Sequence, residues 1–254
     1  RGLVAERLAD DGSFHLVEGP LGEYRRTVEE HDGRLVDTTT YRLTVPWFRW
    51  VFAGLVHNAL SRRDPANGGP PRWAPPDRLT PRQVHVLGLL AAASMASAFI
   101  NTLFTQTVNF AADDFGIGEA SQGVAGVVVR FGILIALPFT VLADRVGRRR
   151  VIVGLAWAAP AFSVMGAIAP EFWILTATQT IGRPLGIALD VLIAVVAAEE
   201  MPRNSRAYAV SVLAMASGLG AGVAVMSLPL ADLGDSGWRL VYVMATLWFL
   251  VAAD

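Results

Sequence analysis

From Val84 to Ala112 the chain carries no formal charge if His85 is neutral, and that run alone excludes most ways of folding in water. A helix rises 1.5 Å per residue, so about 20 apolar residues cross a bilayer core, and this run is longer than that. Five further runs follow it. The second extends from about Ala120 to Leu142, interrupted only by Arg130, and the third, Val151 to Ala169, is uncharged. The fourth, Phe172 to Ala198, contains Arg183 and Asp190; the fifth, Ala207 to Ala231, is uncharged; the sixth begins near Trp238 and is still apolar at Asp254. Composition agrees, since 17% of the residues are charged against roughly 25% in an ordinary soluble domain. More than half of those charges lie in the first 82 positions. The expected fold is an all-α membrane protein, a six-transmembrane-helix bundle over residues 83–254. A small N-terminal α+β segment (1–63) and a Pro-rich linker (64–82) precede it.

The arginines orient the bundle. Arg62, Arg63, Arg72, Arg78 and Arg82 precede the first run, Arg145, Arg148, Arg149 and Arg150 follow the second, and Arg203 and Arg206 follow the fourth. The opposite loops hold Asp113, Asp114, Glu119, Glu171, Asp232 and Asp235, with Arg239 as their one basic residue. The sign alternates through every loop, which predicts a multi-pass protein of the cell membrane with a cytoplasmic N-terminus. The first residue is not Met and the last falls inside an apolar run, so the sequence reads as part of a longer protein.

Several chemistries are excluded. There is no cysteine, hence no disulfide or thiolate site, and His15, His31, His57 and His85 lack metal-ligand spacing. No G-x-x-x-x-G-K-[ST] loop is present to drive an ATP pump. No paired His/Asp/Glu constellation suggests an enzyme, and neither a metal, a cofactor nor nucleic acid is expected.

The loop after the second run reads Thr140-Val141-Leu142-Ala143-Asp144-Arg145-Val146-Gly147-Arg148-Arg149-Arg150. An arginine-rich loop alone sets topology. The ordered Asp-Arg-x-Gly-Arg-Arg is more specific, and it resembles the signature between the second and third helices of the major facilitator superfamily, with Thr140 where that family has glycine. Gly182-Arg183 with Gly186, followed by Glu199, Pro202 and Arg206 at matching spacings, resembles a second pattern, that of the sugar-porter-like branch. The resemblance covers residues 81–254, half of the usual twelve helices. It implies alternating access of two six-helix halves around a central site, the second half lying in the full-length chain. It also implies that Asp144, Arg145, Gly147, Arg148 and Arg149, with Glu199, Pro202 and Arg206, form a conformational latch.

Charges inside spans are costly and default to functional hypotheses. Arg130 and Arg183 each lie roughly ten residues, about 15 Å, into their spans. Asp190 is the one acidic group within a span. It stands two turns beyond Arg183 on the same helix face, and a cross-helix pair with Arg130 is open to it. The functional reading is that the arginines attract an anionic group while Asp190 takes a proton or balances them. The structural alternative is a charge network holding helices together. Asn101, Gln106 and Asn109 supply neutral polar groups to the first span, for a cavity or for interhelical bonds. Gly182/Gly186 and Gly218/Gly222 have the G-x-x-x-G spacing of close helix packing.

In the N-terminal segment Tyr24 to Glu30 and Leu35 to Leu43 alternate as strands around Asp32-Gly33, a tight hairpin turn. Trp47 to Arg62 reads as an amphipathic helix. Late strands followed by a helix, with Asp37, Tyr41 and Pro46, resemble the end of a START-like or polyketide-cyclase-like domain. Asp64 to Pro81 reads as a semi-stiff linker. The leading expectation is a secondary carrier for a small solute in the bilayer, anionic by the arginines, with protons as candidate coupling ion. The alternative is a membrane-tethered lipid- or polyketide-binding module anchored by the helices.

Overall fold

A computed structural model describes residues 3–61 and 70–253. The chain divides into two compact units, residues 1–89 with 198–209 and residues 90–197 with 210–254. Arg62, Arg63 and the first part of the linker lie outside the described residues.

The first unit is built on an antiparallel sheet in the order β1 (Ala5–Leu8), β2 (Phe14–Glu18), β3 (Leu21–His31) and β4 (Arg34–Leu43). Asp32 and Gly33 take φ of +51° and +70°, the doubly left-handed turn that Asp-Gly favours and that matches strand twist. This pins His31 opposite Arg34 and Tyr24 opposite Tyr41. Helix α1 (Arg49–Ser61) sets Val56 and Leu60 into a core with Leu3, Val4, Leu21 and Tyr24. Trp73 and Ala74 of the linker pack on the same core, so the described part of the linker is not a free spacer. Beside this core Arg26 lies 2.7 Å from Glu6 and 3.4 Å from Asp37, with its guanidinium over the Phe14 ring. Burial disfavours the cation, but the hydrogen bonds and charge of Glu6, helped by Asp37, outweigh it and raise the Arg26 pKa above its ordinary value.

Among the described residues five helices are long and apolar enough to cross a membrane: α2 (Pro81–Asp114), α3 (Glu119–Val146), α4 (Arg148–Ala167), α5 (Phe172–Glu200) and α6 (Arg203–Leu233). The expected sixth, α7 (Trp238–Ala253), is apolar but shorter. The start of α2 has a local cause. The Thr80 hydroxyl accepts from the Gln83 N–H at 3.2 Å while the Gln83 side chain accepts from the Thr80 N–H at 3.0 Å, a reciprocal capping box with proline at the first helical position. Within α3 the turn Gly132–Ile135 tightens to 3-10 geometry. Pro138 follows it and removes the hydrogen bond that the Leu134 carbonyl would accept in an α-helix. Pro202 ends α5 two residues earlier, because the residue before proline avoids helical geometry.

Packing in the second unit runs through small residues. A Cβ on Gly132 would come 2.5 Å from the Thr180 carbonyl oxygen, and one on Gly182 would come 3.0 Å from the Phe162 Cβ. Gly186 lies against Asn101 and Ser97. The other expected pair behaves differently: nothing lies within 4 Å of a Cβ on Gly218 or Gly222. The close approach in α6 is made instead by Gly220 between them, where a Cβ would fall 2.0 Å from the Met95 carbonyl oxygen of α2. The spacing identified a small-residue stripe, but the face turned to α2 is offset from it by two residues, a rotation of roughly 200°.

The apolar stretch of α2 is 72% buried and that of α3 is 22% buried, so α2 is the inner helix of the unit. Val127, Phe131, Leu134 and Leu137 stand exposed on α3, apolar surface suited to lipid.

Candidate functional site

Asp190 projects from α5 toward α2 and not toward an arginine. The Asn101 amide donates to its carboxylate at 3.5 Å, and the hydroxyls of Ser94 and Ser97 face the same group. Ser97 also donates to the Gly186 carbonyl at 2.7 Å. That bond and the bare surface of Gly186 fix the register of α2 on α5, with the Asn101 side chain between Gly186 and Asp190. The Asn101 side-chain oxygen is buried with no hydrogen-bond partner among the described residues. An unfilled acceptor beside a half-buried carboxylate is a polar recess in an otherwise apolar interface.

Arg183 is half-buried on α5, and its Nε–H is buried without a hydrogen-bond partner among the described residues. The charge that acts on it is that of Arg130 on α3. The two helices meet closely where Gly132 rests on Thr180 and Pro184. Neither arginine forms an ion pair among the described residues, so two like charges face a common region without an internal counter-ion. Arg130 itself is exposed. Gln106 and Asn109 are exposed on α2, and neither is among the side chains that meet Asp190. No cluster that could hold a metal is found among the described residues.

Gly147 is the single residue between α3 and α4, with φ +104° and ψ 129°, a conformation open to glycine and costly for other residues. Its N–H bonds the Ala143 carbonyl. Asp144 accepts from Arg148 at 3.4 Å, so the motif closes its own turn by an i,i+4 pair across the helix break. Arg145 and Arg149 are exposed.

In the first unit, the turn after α5 is tied to the linker by Asp77, which the sequence did not single out. Its N–H donates to the Ser205 hydroxyl at 3.0 Å, and its carboxylate accepts from the Asn204 amide at 3.1 Å. Gln83 donates to the Glu200 carbonyl, and Arg82 lies 3.9 Å from the Glu200 carboxylate. Pro202 starts the short turn Arg203–Ser205, and Glu199 and Arg206 are exposed. The bond from Asp77 spans the linker and a loop far away in sequence, a contact that no local spacing signals.

At the other end of α2, Asp114 accepts from the Trp238 indole at 3.0 Å. Arg239 donates to the carbonyls of Ala167 and Ala169 at 2.9 and 2.8 Å, capping the C-terminus of α4. The one basic residue of its loops is thereby tied into the helix ends.

Apolar helices of membrane-spanning length, with small residues at their contacts and titratable groups kept between them, define a polytopic α-helical membrane protein. The chain belongs to the Major Facilitator Superfamily, whose sequence profile matches residues 88–253. The expected membership of this superfamily is met. The match begins at Gly88 and does not extend to the sheet. Among curated relatives, a gentisate transporter of Corynebacterium glutamicum is 27% identical over 146 residues, 55% of this chain and 32% of the relative. The chain thus spans about a third of that protein's length.

Proposed function

We propose that this chain is the N-terminal half of a secondary transporter that moves a small organic anion by alternating access, with Asp190 as the proton-responsive group. The observation that carries the reading is the pair Arg130 and Arg183, two cations inside spans without an acidic partner among the described residues. A carboxylate on a solute would supply the missing charge and accept from the free Nε–H. Gentisate, the solute in the name of the relative, is such an organic anion. Asp190 is held by neutral donors, so its charge is free to change without breaking an ion pair. The Asp144–Arg148 turn and the Glu199–Arg206 segment act as the latch, α7 is the sixth span, and the second six-helix half comes from the full-length chain. The arginine-rich loops support a cytoplasmic N-terminus in the cell membrane. The helix laid over an antiparallel sheet supports reading residues 1–63 as a START-like remnant.

The test is uptake of labelled gentisate and other aromatic or aliphatic carboxylates by cells carrying the full-length protein, with Arg183→Gln and Asp190→Asn variants at equal membrane abundance. Loss of uptake in Arg183→Gln supports an anion site. Unchanged uptake in both variants overturns the site.

A further inference from the structure

Helix α1 has two apolar faces, and the core accounts for one of them. Val56 and Leu60 are buried in the sheet core, whereas Trp50 is 80% exposed and Trp47, Val51 and Leu55 are about 40% exposed. Trp50, Val51 and Leu55 lie on one side of α1, and Trp47 stands two residues before the helix begins. Trp47 also holds φ +59°, a left-handed conformation that is costly for a bulky side chain. The chain spends that strain to turn from β4 into α1 and leaves the indole outside the core.

The level of this stripe along the first span is fixed. Pro46 packs directly on Gly88 of α2, where an added Cβ would come 2.5 Å from the proline ring. His85 meets the Thr44 carbonyl at 3.3 Å one turn earlier. Gly88 stands six residues, about 9 Å, past Arg82, the last charge before the uncharged run. Pro46 therefore holds the turn that leads into α1, with Trp47 beside it, at the level where α2 passes from charged to apolar, the level where tryptophan is enriched in membrane proteins. Beside the same turn is a cavity of about 380 Å³ lined by Glu23, Arg42, Pro46, Arg49, Pro81 and His85. Arg42 lies 3.4 Å from Glu23, so two arginines against one carboxylate leave one excess positive charge, which matches a single phosphodiester.

We propose that α1 is an in-plane interfacial helix, with Trp47, Trp50, Val51 and Leu55 in the headgroup layer and the phosphate of an anionic phospholipid in the cavity beside Arg42 and Arg49. The proposal rests on the membrane-embedded reading of the spans. An amphipathic helix of this kind gains both from apolar burial and from attraction to anionic lipid. It puts α1 at the bilayer surface beside the start of α2, where Pro46 meets Gly88.

The absence of cysteine gives a clean test. Trp50→Cys, Leu35→Cys and Val127→Cys variants of the chain are labelled with a fluorophore and reconstituted into vesicles of phosphatidylcholine with or without phosphatidylglycerol. Quenching by brominated acyl chains is then compared with quenching by iodide in water. Leu35 is 64% exposed on β4 and Val127 is 52% exposed on α3, so they report water and lipid respectively. The expected result is several-fold stronger lipid quenching at position 50 than at 35, deepened by phosphatidylglycerol, with the deepening lost in Arg42→Gln/Arg49→Gln. A label at 50 as open to iodide as that at 35, with 127 in lipid, overturns the proposal and leaves the membrane reading intact. Failure of lipid to reach 127 overturns both. A label at 50 shielded from lipid and iodide alike means that protein covers α1, which also overturns it. Equal depth in the two kinds of vesicle overturns the phosphate site.

Discussion

The Asn101 amide of α2 donates to the carboxylate of Asp190 on α5 at 3.5 Å, so the acidic group within the spans is partnered by a neutral side chain and not by an arginine. Replacing that carboxylate with an amide of the same shape keeps the contact and removes only the charge. Asp190→Asn is therefore expected to insert and fold normally but to lose concentrative uptake, while exchange of solute across the membrane persists. Comparing net uptake with counterflow in vesicles checks this, and an equal fall in both would remove Asp190 from coupling. Arg183→Gln should instead weaken both activities. Loss of a hydrogen bond to a charged group costs about 1.5–3 kcal/mol, which is roughly tenfold or more in affinity.

Two glycines two residues apart in α6 should respond in opposite ways. Gly220 lies against the Met95 backbone, which cannot step aside, so Gly220→Ala forces α2 and α6 apart and should cost about 1–3 kcal/mol. Gly218 faces open space, and Gly218→Ala should be neutral or stabilising by up to about 1 kcal/mol through helix propensity. The thermal unfolding midpoints of both variants in detergent decide it. If Gly218→Ala is the more damaging, the α2–α6 contact is wrongly drawn.

What the sequence disclosed follows the reach of each signal. Five spans were legible because apolar runs of that length suit a bilayer, whereas the start of α2 was placed at Val84 and lies at Pro81, where Thr80 and Gln83 form a capping box. The β3–β4 hairpin was legible through Asp32-Gly33, a local signal. The partner of Asp190 was not, because it depends on how Ser97 and Gly186 set the register of α2 on α5, and periodicity along one helix carries no such information. The cross-helix pair with Arg130 that the sequence left open for Asp190 considers charge alone, whereas the small residues at the helix contacts set which side chains meet. Asp77 was missed because its partners, Asn204 and Ser205, lie across the fold.

Gly147 turns α3 into α4 in one residue at φ +104°. Gly147→Ala should cost about 1–3 kcal/mol in backbone strain, and it should also misdirect the Asp144–Arg148 pair. Gly154→Ala, in the body of α4 with nothing within 4 Å, is the matched control and should leave stability unchanged or improved. Unfolding midpoints again read the effect. A Gly147→Ala protein as stable as the control would mean that the turn has an alternative conformation.

Arg239 touches both an acid and two carbonyls, and the two contacts are not of equal weight. Its distance to Asp114 is 3.9 Å, at the outer limit of an ion pair, and such pairs contribute about 1 kcal/mol or less when partly exposed. Its bonds to the Ala167 and Ala169 carbonyls are shorter, and they satisfy acceptors that the end of α4 would otherwise leave open. Its guanidinium also lies 4.7 Å from the Trp238 ring. Arg239→Gln should thus destabilise the bundle by about 1.5–3 kcal/mol, and Arg239→Lys by somewhat less, since an ammonium retains charge but not the planar fork. In a double-mutant cycle with Asp114→Asn the coupling should stay below about 1 kcal/mol. A larger coupling would mean that the ion pair, and not the capped helix end, holds this corner together.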